Sequence, residues 1–183
     1  DIVLRVLEPV VGPVAVAAGQ GIAVQDDEGN LLMVADGALS ASTTVSIKAR
    51  ALDDLGMPLP APDLLDVIGA VEIDVGSAEA SLPLQLAVKV LGPVDPNTGL
   101  ASTLAPNTQV FIWRKGVMLD TDGTLHDTWW LVDNGFIGED GIARTASPPY
   151  TGIKGSGGIY AFTTVKSIDA ETGEVQGTYA QVN

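Results

Sequence analysis

The stretch LDTDGTLHD, residues 119–127, brings together Asp120, Asp122, Asp127 and the chain's single histidine, His126. Acids alternating around a glycine suggest a calcium loop, because a hard cation takes oxygen ligands from a chain that turns sharply. In an EF-hand-like register, however, the first ligand position falls on Met118 and the twelfth on Trp129, so the leading Asp and the closing bidentate acid are both missing. The same residues suit a hairpin turn of Asp-Gly type. Calcium held in another way would draw on Asp120, Asp122 and Asp127, joined by Asp133 or Glu139 from nearby loops.

A second kind of chemistry is aromatic. Trp113, Trp129, Trp130, Tyr150 and Tyr160 all fall in the second half of the chain. Successive residues of a strand point to opposite faces, so of Trp129 and Trp130 one can enter the core while the other reaches the surface. An exposed Trp130 together with Tyr150 of PPYTG could stack on a sugar or receive a protein partner; the alternative is that both indoles cap the ends of the fold. Asp26/Asp27 and Asp53/Asp54 are adjacent acids of the sort found solvated in turns. In GIKGSGG, residues 152–158, the lysine precedes the glycines and no helical pattern comes after it, which argues against a phosphate cradle. Lys48 and Lys89 fall on polar faces by alternation, so neither is placed for an intramolecular isopeptide bond.

Nine basic residues against 23 acidic ones leave a formal charge of −14, which repels phosphate backbones and anionic membrane surfaces alike. No apolar run approaches the roughly 18 residues of a membrane helix. The chain has no cysteine, which removes zinc ribbons, thiol catalysis and disulfide frameworks together. Aromatics are only 5% of residues while 21 Gly and 11 Pro punctuate the chain, so the apolar content is aliphatic and suits many short strands.

Those strands must position the groups above. GIAVQ and LLMVA flank DDEGN, which predicts an antiparallel hairpin. Asp36 and Gly37 turn the chain, and Ala38 with Leu39 then plug the core before a strand in which Val45, Ile47 and Ala49 alternate with Thr44, Ser46 and Lys48. Val71, Ile73 and Val75 alternate with Glu72 and Asp74; Leu84, Leu86, Val88 and Val90 alternate with Gln85, Ala87 and Lys89. Strands are also expected over 2–7, 14–18, 108–114, 128–132, 158–165 and 174–182, the last two of these joined by an acidic Gly turn. Between them lie a Pro-rich connection over 51–64, with a short helical turn at 53–56, and a Pro/Gly/Asn-rich stretch over 92–107 that suits a linker or a long inter-sheet crossing. No sustained helical period occurs.

The run GIAVQDDEGNLLMVADGALSASTTVSIKA resembles the start of the ZU5-like module, a β-sandwich in which a hairpin leads through an Asp-Gly-Ala-Leu-Ser turn into a Thr-Thr-Val strand. LLDVIGAVEIDVGSAEASLPLQLAVKV resembles that module's later strand pair. The second half is similar, more loosely, to the segments that adjoin such modules in bacterial surface proteins. The resemblance implies a non-enzymatic interaction platform or spacer in a bacterial extracellular or cell-surface protein, with neighbouring domains of the same polypeptide as partners. Some relatives cleave themselves at a His-Phe-Ser triplet; here that would make His126 the base and Thr128 the nucleophile, with Asp127 in place of Phe.

The sequence thus predicts an all-β, antiparallel β-sandwich in two packed units, residues 1–92 and 93–183. It predicts no nucleic acid, no membrane insertion and no catalytic residue. A glycan or protein ligand at Trp130 and Tyr150, with calcium at Asp120, Asp122 and Asp127, is the alternative.

Overall fold

A computed structural model describes residues 7–168 and 175–176. Among them the chain is all-β, relieved by one 3-10 turn at Leu52–Asp54 where a short helical turn is expected. Its first strands are β1 (Val10–Val11), β2 (Val14–Val16), β3 (Ile22–Gln25), β4 (Leu31–Val34) and β5 (Thr43–Ala49). Then come β6 (Leu65–Asp74), β7 (Ala80–Lys89), β8 (Gln109–Leu119), β9 (Leu125–Ile137) and β10 (Ile142–Thr145). After β11 (Ile153–Gly155) and β12 (Gly158–Val165), β13 (Ser167–Ile168) and β14 (Val175–Gln176) pair separately. The strands expected over 2–7 and 174–182 lie, apart from Leu7 and β14, outside the described residues.

Local chemistry accounts for the elements. The turn between β3 and β4 is the acidic Gly-Asn bend, closed by Asp26 N–H donating to the Asn30 carbonyl at 3.1 Å. Gly37 adopts a φ of +77°, which a side chain rarely tolerates, and delivers Ala38 and Leu39 fully into the core. Asp36 braces this turn from outside, its Oδ1 accepting from the Gly21 amide at 2.7 Å. In β5 Val45 and Ile47 are buried while Thr44 and Lys48 are exposed, the expected alternation.

The sheet path runs β1-β3-β4-β7-β10-β9-β8-β12-β6-β5-β2, with β11 against β7. Its two ends are the same piece of chain. Val10 and Val11 pair in parallel with β3; after Gly12 and Pro13, Val14 to Val16 pair antiparallel with β5. That corner nearly closes the sheet on itself, so the expected sandwich gives way to a barrel-like fold. Gly12 permits the corner: a Cβ there would sit 2.7 Å from Val24 Cγ1. Irregularities in register between Phe162 and Thr163 of β12, and between Ile112 and Trp113 of β8, add curvature.

The pairing runs across the expected division near Gly92. Strands β8, β9, β10 and β12, from beyond Gly92, lie between β7 and β6, from before it. One hydrophobic cluster accordingly draws on both sides of that residue, including Leu32, Val45 and Ile73 with Ile112, Tyr160 and Phe162. Each such side chain contributes about 1.5–3 kcal/mol by leaving water. Residues 92–107 are the crossing, one of the two roles expected for them, bridged at Val94 and Ala101 and pinned by buried Leu104.

Candidate interaction site

Strands β8 and β9 pair along their whole length, from Gln109 against Phe136 to Leu119 against Leu125. Their other neighbours do not. β12 covers β8 only from Phe111 to Arg114, and β10 covers β9 only from Gly135 to Ile137. The remainder, residues 115–119 with 125–129, is a two-stranded arm reaching about 17 Å past the barrel at the usual strand rise.

The turn at its tip is built as expected from an Asp-Gly pair. Gly123 takes a φ of +84°, Asp120 N–H donates to the Thr124 carbonyl at 2.8 Å, and Thr124 N–H donates to Asp122 Oδ1 at 2.9 Å. Cross-strand register sorts the arm into two faces. One carries Lys115 with Trp129, Val117 with Asp127 and Leu119 with Leu125; the other carries Arg114 with Trp130, Gly116 with Thr128 and Met118 with His126.

The first face is anchored at its base by the Pro-rich connection. Trp129 Nε1 donates to the Pro58 carbonyl at 2.8 Å, and Lys115 Nζ donates to the Leu55 carbonyl at 2.8 Å. Trp113 Nε1 donates to Thr163 Oγ1 at 2.9 Å, next to a shallow cavity of about 350 Å³ shared by Pro58, Leu59, Trp113 and Trp129. On the second face the Trp130 indole lies across Gly116, where a Cβ would stand only 2.9 Å from its Cδ1. The two indoles take opposite faces, with Trp129 half-buried against the Pro-rich connection rather than in the core and Trp130 largely open. Tyr150 is half-buried on the loop after β10, which approaches β9 through Gly152 N–H donating to the Val132 carbonyl at 3.1 Å.

Beyond the anchored base the arm carries exposed apolar side chains on both faces, Val117 at 56%, Met118 at 46%, Leu119 at 65% and Leu125 at 65%, and Trp130, just behind the base, is 48% exposed. Among the described residues its outer edges have no ladder partner. Sequence alone singles out only Trp130 of these residues. A signal for the rest is present, since apolar residues crowd both sides of the Asp-Gly turn without strict alternation.

At the tip, the structure brings Asp120 and Asp122 together with His126, not with Asp127: donor atoms of these three lie within 4.8 Å of one another. His126 Nε2 stands 3.4 Å from Asp120 Oδ2. Asp127 is on the opposite face of the arm, Glu139 is exposed in the β9–β10 turn and Asp133 is buried in the barrel. Calcium, which gathers six to eight oxygens, is poorly served by two carboxylates and an imidazole, a mixed set closer to what a borderline ion such as zinc accepts. His126 and Thr128 share a face, but the imidazole is turned to Asp120.

Two further groups have structural explanations. Asp133 Oδ1 accepts from Ser147 Oγ at 2.6 Å and from Asn134 N–H at 2.8 Å, while buried Oδ2 has no partner among the described residues. Burial pushes its carboxyl above the ordinary range. In the Gly-rich segment, Arg114 donates to the carbonyls of Ser156 and Gly157 at 3.2 and 3.0 Å. Those residues thus present oxygens to a cation, the reverse polarity of a phosphate cradle.

No family model and no curated protein matches the chain.

Proposed function

We propose that this chain is a non-enzymatic interaction module: a barrel that holds out the β8–β9 arm to dock on another polypeptide. The observation that carries the reading is the cluster of exposed apolar side chains on a ribbon with both outer edges unpaired, an arrangement that costs solubility unless something covers it. The matching partner is an extended segment adding a strand to one edge of the arm, with apolar side chains toward Val117, Leu119 and Leu125. Asp120, Asp122 and Asp127 border that strip, and the chain as a whole is strongly acidic, so basic residues on the segment complement it and a second copy of this chain is disfavoured. The resemblance to ZU5-like modules supports a setting as a spacer or interaction unit of a larger bacterial surface protein. No helix among the described residues is long and apolar enough to cross a membrane.

A peptide of alternating Val and Lys is a direct probe, read by the emission of the arm's indoles. Saturable binding that is lost when residues 117–127 are replaced by an Asn-Gly turn supports the proposal. Equal binding by the shortened chain, or none by the native one, refutes it. Exposed Trp130, which sets the Cδ1–Nε1 edge of its indole against Gly116, favours one second reading, stacking on a sugar ring. A glycan array with native protein and Trp130→Ala distinguishes it, since only this reading requires a carbohydrate signal that the substitution removes.

A further inference from the structure

At the end of the barrel away from the arm, β5 and β7 finish on either side of the start of β6. A cavity of about 380 Å³ opens there, within the range of roughly 300–1,000 Å³ typical of small-molecule sites. Its walls are mostly apolar, formed by Ile68, Leu91, Pro93 and Val94, and its charged lining is two cations, Arg50 and Lys89, with one acid, Glu28. Leu91 and Val94 remain largely exposed at the rim.

The polar side of this mouth is fixed by a chain of hydrogen bonds. Buried Asn30 donates through Nδ2 to Asp26 Oδ2 at 2.7 Å and accepts the Lys89 amide on Oδ1 at 2.9 Å. The Ala49 amide donates to the same Asp26 Oδ2 at 3.1 Å. The ends of β5 and β7 are thereby tied to one turn, and the cavity between them is held open by backbone that has few ways to move.

The two cations differ. Arg50 is compensated in charge, donating to Asp54 Oδ2 at 2.9 Å and to Glu72 Oε2 at 3.3 Å, although its buried Nε has no acceptor among the described residues. Lys89 is not: its ammonium has no acceptor among the described residues, and it lies over the β3–β4 turn, where a Cβ on Gly29 would stand 3.2 Å from Nζ. Lys89 is exposed, so its ammonium at the mouth of this mostly apolar cavity is free to meet an anionic group, with Glu28 the acid that shares the lining.

From it we infer a binding site for a small amphipathic carboxylate, its tail against Ile68, Leu91 and Val94 and its head on Lys89. Burial of the tail supplies most of the affinity and the ion pair selects the anion. This site is independent of the arm.

The test uses the whole chain, decanoate as probe, and amide chemical shifts with calorimetry as readouts. The inference predicts one saturable site with shift changes at Gly69, Leu91 and Gly92. It predicts weakening by about fivefold in Lys89→Met, the size expected for one partly solvated ion pair, with Lys89→Arg restoring binding. Decanol, with the same tail and no charge, binds more weakly than decanoate. Shifts confined to residues 115–130, equal affinity for decanoate and decanol, unchanged binding in Lys89→Met, or no binding up to millimolar decanoate would each overturn it.

Discussion

The two halves of strand β8 carry similar residues to opposite fates. Val110 and Ile112 are wholly buried, yet Val117 and Leu119, a few residues along the same strand, stand mostly in water. The difference is in the neighbours. The first half has β12 beside it and the opposing wall of the barrel over its inner face, whereas the second half has only β9. A strand's pattern offers a face, and the strands that later flank it decide whether that face is core or contact surface.

The largest effects should separate the two halves by stability. Phe162→Ala removes a fully buried side chain from the barrel and should cost about 3–5 kcal/mol in urea unfolding, while Leu119→Ala on the arm should stay within about 0.5 kcal/mol. Comparable losses at both sites would mean the arm is part of the core. Next in size is the corner that nearly closes the barrel. Gly12→Ala forces a Cβ against Val24 Cγ1 and should cost about 1–3 kcal/mol by overpacking; no loss would mean that β1 and β2 are not pinned where the closure needs them.

A smaller, pH-dependent effect belongs to Asp133 in the barrel wall. Its folded pKa is raised by burial, so its favourable contribution is complete below the unfolded value of about 3.9 and is lost as pH rises through the folded value. The stability of native protein relative to Asp133→Asn should therefore be greatest near pH 3 and decline toward neutrality. Asp140, exposed and held down to about 2 chiefly by its hydrogen bonds with Arg144, contributes in the opposite sense as pH falls below about 4. Its contribution cancels in the comparison. A difference that grows with pH would contradict the burial of Asp133. The smallest stability effect is expected at the arm tip, where Leu119→Ser with Leu125→Ser should leave the unfolding midpoint nearly unchanged while abolishing binding of the Val-Lys peptide.

Much of this was legible where the determinants are local. The DDEGN hairpin, the Ala38–Leu39 plug, the alternation of Val45 with Ile47 and the Asp-Gly turn at the tip each depend on residues a few positions apart. The near-closure of the barrel is set by Gly12 meeting Val24 across space, and the interleaving of strands across Gly92 by pairings such as Tyr160 with Val71. A one-dimensional pattern carries no record of such partners, and the Pro/Gly-rich stretch over 92–107 looks the same whether it links two units or crosses within one. The candidate site was legible as a stretch but not as an arrangement. Parity already separates His126 from Asp127, and only the register of β8 against β9 places the imidazole on the side of Asp120. The cavity at the far end had no signal at all, since Lys89, Arg50 and Leu91 meet there through tertiary structure alone.

The central claim, that one long hairpin is barrel wall at its base and free arm beyond it, is tested most directly by native-state hydrogen exchange along β8. The amides of Val110 and Ile112 should exchange only through global unfolding, while those of Val117 and Leu119 should exchange at least about 100-fold faster through local opening of the ribbon. Uniform protection from Val110 to Leu119 would contradict the account, because it would place the arm within the cooperative core.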